Sequence, residues 1–116
     1  MRIYLLLVII GKYLVIQGYS LNKIYHETAG LTVDDFHNMA NIPHIIEILE
    51  KSKMGQHPNE ISGLIKSNLI DRGILWEKPS TNTYILTNSG RAFFDELQNN
   101  SDLYLNTLEA DEADEY

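Results

Sequence analysis

Apolar residues run almost unbroken from Ile3 to Ile16, interrupted only by Gly11 and Lys12. A helix of this content is apolar on nearly every side and must be buried all round, against the core and against a second subunit. The β-branched Val8-Ile9-Ile10 followed by Gly11-Lys12 also fits a strand and a hairpin turn. The spacing of Leu7, Ile10 and Leu14 favours a helix over residues 3–17. Ser20 then suits the N-cap of a short helix carrying Leu21, Ile24 and Tyr25, ended by Gly30. Thr32-Val33-Asp34-Asp35 reads as a capping box, with Asp35 in the place of the usual Glu. It opens a helix through Phe36, Met39 and Ala40.

Pro43 predicts the first position of a further helix, where its missing N–H costs nothing. Ile45, Ile46, Ile48 and Leu49 form its apolar face, and Lys51 and Lys53 suit the dipole in its last turn. After the turn Met54-Gly55-Gln56-His57, Pro58 and Glu60 repeat the start signal. The helix they open spans residues 58–72, with Ile61, Leu64, Ile65 and Leu69 inward and Gly73 as a left-handed stop. Two short strands follow at 74–77 and 83–86, joined by Lys78-Pro79-Ser80-Thr81-Asn82, so that a wing occupies 74–87. Trp76 and Tyr84 read as cross-strand core partners within it. Thr87 or Asn88 caps a last helix over 88–99, whose apolar residues are Ala92, Phe93, Phe94 and Leu97.

The stretch 58–97 resembles the C-terminal half of a winged-helix domain of the MarR or PadR type. The likeness rests on an apolar helix ending in Gly73-Ile74-Leu75, and on a second wing strand Tyr84-Ile85-Leu86-Thr87 followed by Gly90-Arg91. Gly18-Tyr19-Ser20-Leu21 is similar to a step that follows the first helix in PadR-type proteins. The resemblance implies a mainly α fold with a small two-stranded antiparallel β-wing: a winged helix-turn-helix domain over residues 1–100. It implies that residues 43–53 form the helix before the recognition helix 58–72, and that helices flanking the wing make a homodimer. Ile3, Leu6, Leu7, Ile10, Leu14 and Leu103 are the candidate dimer contacts.

A chain of 116 residues with 44% apolar content suits one such domain. It has no cysteine, so disulfides and thiolate metal sites are excluded and a cytoplasmic location is expected. The apolar N-terminal tract, about 14 residues with a lysine inside, falls short of the roughly 20 that span a bilayer, and no membrane role is expected. Charge changes the picture more. The net value is −7, yet residues 1–91 are close to balanced. The acidity sits in residues 92–116, where Asp95, Glu96, Asp102, Glu109, Asp111, Glu112, Asp114 and Glu115 meet no Lys or Arg. Residues 101–116 read as an acidic extension whose last residues are too poor in apolar side chains to pack.

The winged-helix resemblance implies double-stranded DNA as partner. On the 58–72 helix, Asn59, Ser62 and Lys66 share the outward face. Asn pairs with adenine, and Lys reaches guanine or phosphate. The bland alternative is a solvated face. Lys78, Ser80 and Thr81 at the wing tip suit phosphate contacts, though Pro, Ser, Thr and Asn are also ordinary turn residues. Arg91 fits either a phosphate or a pair with Asp95 one turn later. In a homodimer, two recognition helices would enter successive major grooves about one helical turn apart.

Nothing points to catalysis. His26, His37, His44 and His57 share no metal-ligand spacing, and no nucleophile triad or phosphate-cradling glycine loop stands out. No cofactor and no metal are expected. Two functions stay open: a DNA-binding transcription regulator, and an acidic winged-helix module that binds a protein partner with little DNA binding.

Overall fold

The computed structural model describes residues 2–26, 29–54 and 57–99. Within them the chain is mainly helical, with one two-stranded antiparallel sheet. Helix α1 spans Arg2–Ile16 and forms the centre of the molecule. Leu5, Leu6, Leu7, Ile9, Ile10, Tyr13 and Leu14 are fully buried along it. It is covered on several sides by later elements of the same chain. This corrects the expected dimer contacts. Leu6, Leu7, Ile10 and Leu14 are enclosed within the single chain and Ile3 is half-buried, so no second subunit is required to cover them. Leu103 lies outside the described residues.

A 3₁₀ turn at Leu21–Ile24 takes the place of the expected short helix. Ser20 caps it by accepting from the Asn22 N–H at 3.2 Å. The turn ends well before Gly30. Helix α2, Val33–Asn38, starts with the capping box expected of Thr32 and Asp35. Asp35 Oδ2 accepts from the Thr32 N–H at 2.8 Å, and Thr32 Oγ1 accepts from the Asp35 N–H at 3.1 Å. A second 3₁₀ turn, Met39–Asn41, leads into α3, Pro43–Lys51. Lys53, expected in the last turn of α3, stands past its end with φ 55°.

Helix α4 covers Pro58–Ile65, after which the chain widens into a π-helical turn at Lys66–Ile70. Gly73, at φ 74°, closes this segment. The Ile74 N–H reaches back to the Leu69 carbonyl at 2.8 Å and the Gly73 N–H to Ile70 at 3.1 Å, the two bonds of a Schellman stop. Helix α2, not α3, is the main packing partner of α4; α3 packs instead on the Met39–Asn41 turn and on α1. The helix expected over 43–53 is present as α3, ahead of α4 in sequence.

Strands β1, Leu75–Lys78, and β2, Thr83–Leu86, pair with Leu75 opposite Leu86 and Trp76 opposite Ile85. Leu31 adds one bridge on the far side of β2, through two bonds with Tyr84 of 2.9 and 2.7 Å. The register corrects the wing core. Successive side chains of a strand point to opposite faces, so with Leu75 turned inward Trp76 points out and is 46% exposed. Tyr84 opposes Glu77 rather than Trp76 and packs on Phe36, with ring centroids 5.3 Å apart.

Helix α5, Asn88–Asn99, is capped by Thr87, whose hydroxyl oxygen accepts from the Gly90 N–H at 3.0 Å. That hydroxyl donates to the Gly73 carbonyl, and the Thr87 N–H donates to Ile74 at 3.0 Å. A Cβ on Gly90 would stand 2.1 Å from the Ile74 carbonyl oxygen. The stop of the α4 segment and the start of α5 thus form one tight joint, which only glycine at position 90 permits. Phe94 and Leu97 carry α5 into the core. Residues 101–116 lie outside the described residues.

Candidate nucleic-acid interface

The start of α4 is set by a residue with no strong sequence signal. His57 is its N-cap: Nδ1 accepts from the Asn59 N–H at 3.2 Å, and the Glu60 carboxylate accepts from the His57 N–H at 3.3 Å. Histidine is not among the favoured caps, so the hints were Pro58 at the first helical position and the Glu three residues after the cap. From this start the period of Ile61, Ile65 and Leu69 buries one side. The opposite side exposes Asn59, Glu60, Gly63, Lys66 and Ser67, and no large exposed hydrophobic side chain falls on α4.

Asn59, Ser62 and Lys66 all sit on this helix or its continuation, as the sequence implies, but two are already engaged. Ser62 is half-buried and donates its hydroxyl to the Asn59 carbonyl at 3.1 Å. Lys66 Nζ lies 3.2 and 3.3 Å from the two carboxylate oxygens of Asp71. The π-turn causes this pairing. The Asp71 N–H bonds to the Lys66 carbonyl at 2.8 Å, so residues five apart stack over each other as they do not in an α-helix. The pair is solvent-exposed and correspondingly weak, so Asp71 lowers the local positive field without locking the lysine.

At the hairpin, Ser80 and Thr81 are exposed and Lys78 is half-buried. The turn is held by the Lys78 carbonyl, which accepts from the Asn82 N–H at 2.9 Å, and Asn82 takes a left-handed φ of 53°. The Thr81 and Thr83 hydroxyls share a hydrogen bond of 2.7 Å. Glu77 accepts from the Tyr84 hydroxyl at 3.0 Å, and burial followed by this bond raises the Tyr84 pKa.

Arg91 is not brought to this surface. Its guanidinium donates to the Tyr25 carbonyl and stacks 5.3 Å from the Tyr25 ring centroid. Neither a phosphate role nor a pair with Asp95 fits that position. Asp95 instead accepts from the Tyr25 hydroxyl at 2.7 Å. Arg72, which the sequence reading passed over, is exposed at the end of the α4 segment and makes no ion pair among the described residues. Glu60 and Asp71 on the same segment leave its surface close to neutral all the same.

Among the described residues no group of His, Asp and Glu is arranged to hold a metal ion, and no helix is long and apolar enough to cross a membrane. No family model matches the chain, and no curated protein or solved structure is similar to it.

Proposed function

We propose that the chain is a winged-helix DNA-binding regulator of the cytoplasm, presenting α4 to a major groove and the β1–β2 turn to the backbone. One observation carries this reading. Helix α4 and its continuation, backed by α2, bury Ile61, Ile65 and Leu69, leave Leu64 half-buried, and expose Asn59, Glu60, Gly63, Lys66 and Ser67 with no large exposed hydrophobic side chain among them. A face of that kind fits a groove. Asn59 has the amide for an adenine edge and Lys66 the reach for guanine or phosphate. Ser80 and Thr81 supply hydroxyls for phosphate oxygens. Few cations are available, so affinity falls only gently with salt, as expected when few counterions are released. Anisotropy of labelled mixed-sequence duplex at low salt tests it directly: the full chain should bind, and Lys66→Ala should bind less.

A second reading keeps one specific support. Lys66 is paired with Asp71 and Arg91 is turned onto Tyr25, so the surface is nearly neutral, which suits a module that binds another protein. Absence of DNA binding even at low salt selects this reading.

A further inference from the structure

The widened turn at Lys66–Ile70 brings an acid over the lysine of the α4 segment. In an α-helix of 3.6 residues per turn, position 71 would stand about 140° round from position 66. Here the Asp71 N–H bonds to the Lys66 carbonyl at 2.8 Å, and the Lys66 ammonium lies 3.2 and 3.3 Å from the two Asp71 oxygens. Both side chains are more than half exposed, at 67% and 53%. Asn68, inside the turn, is occupied by the Leu64 carbonyl at 2.9 Å. π-turns within helices recur at functional sites.

The pair presents a donor and an acceptor 3.2 Å apart to whatever meets this surface. The major-groove edge of a G·C pair presents the complement. Guanine O6 accepts, cytosine N4 donates, and the two are themselves hydrogen-bonded at about 2.9 Å. With Lys66 Nζ donating to O6, and guanine N7 beside it as a second acceptor, the Asp71 carboxylate falls on the N4 amine. An A·T pair fits worse. A carboxylate on adenine N6 stands beside the acceptor N7, and an ammonium on thymine O4 meets the methyl group.

We propose that Lys66 and Asp71 together read one G·C pair in the major groove, and that Asp71 makes the contact selective. The proposal rests on the placement of α4 in a DNA groove. The carboxylate opposes the phosphates of every duplex, so it lowers general affinity. It separates one base pair from the others, because the amine it accepts from is present only on the right one.

Selection from a random-sequence duplex pool, followed by anisotropy on a selected duplex, tests it. The pool retained by the native chain should be enriched in G·C at a position where the pool retained by Asp71→Ala is not. Changing that pair to A·T should weaken native binding about tenfold and Asp71→Ala binding by about twofold or less. Changing it to inosine·C removes only the minor-groove amine and should leave native binding unchanged. Lys66→Ala should lose the same preference. Both side chains are exposed, so neither truncation disturbs packing. A native pool with no enriched G·C position overturns the proposal and leaves the DNA reading standing. So does equal discrimination by Asp71→Ala, or an inosine·C duplex bound as weakly as A·T. Failure to bind any duplex at low salt overturns both.

Discussion

Tyr13 donates its hydroxyl to Asp35 Oδ1 at 2.5 Å, joining the last turn of α1 to the first turn of α2. Asp35 is buried, and the same carboxylate also closes the α2 capping box. Removing the phenol oxygen leaves a buried acceptor short of a partner, which costs about 1–3 kcal/mol. Tyr13→Phe should therefore lower unfolding stability by that amount in denaturant titration. It should leave far-UV dichroism unchanged, because Thr32 still caps α2.

Four phenols share a raised pKa. For Tyr13 and Tyr25 the causes in order are burial, then a hydrogen bond to Asp35 or Asp95; for Tyr4 and Tyr84 they are burial, then Glu96 or Glu77. The fold holds these protons more tightly than the unfolded chain, whose tyrosines titrate near the ordinary value of 10.0. Their contribution is fully present below pH 10 and is lost as pH rises beyond it. Denaturant midpoints should fall steeply above pH 10, and Tyr13→Phe should make that fall shallower. An unchanged slope would contradict the assignment.

Gly90→Ala tests the joint between Gly73-Ile74 and α5. The added Cβ meets the Ile74 carbonyl oxygen at 2.1 Å, so backbone must move. Overpacking of this kind costs about 1–3 kcal/mol, and thermal unfolding should show it. Arg91→Ala should also destabilise, by releasing Tyr25, while leaving the salt dependence of any DNA binding unchanged.

Trp76 is the only tryptophan and is 46% exposed, so acrylamide should quench its emission efficiently in the native chain. Trp76→Ala should change stability much less than Leu75→Ala, whose side chain is buried opposite Leu86. A protected, blue-shifted emission would contradict the hairpin register.

The elements were largely legible in the sequence because caps and stops are local. Thr32 with Asp35, Pro43, Pro58 and Gly73 each act where the pattern of residues placed them. The Tyr84-to-Gly90 motif was also visible, but its meaning was not. Thr87 and Gly90 serve the joint with Gly73 and Ile74, so the residues that carry the winged-helix resemblance account for packing and say nothing of a ligand. Burial was legible for α1, though what covers it was not, since a wholly apolar helix is equally content against its own chain or another. Trp76 was misplaced because hydrophobicity alone does not fix strand phase. The Lys66–Asp71 pair was invisible because residues five apart meet only in a π-turn, which no helical period announces.

Asp71→Asn bears most directly on the proposed role of α4. It removes the carboxylate that faces Lys66 while keeping its shape. With labelled duplex at low and moderate salt, anisotropy should show the native chain binding. Asp71→Asn should bind a few-fold tighter with a steeper salt slope, and Lys66→Ala weaker with a shallower one. Native, Asp71→Asn and Lys66→Ala chains that are indistinguishable, or that all fail to bind at low salt, would contradict the placement of α4 in a DNA groove.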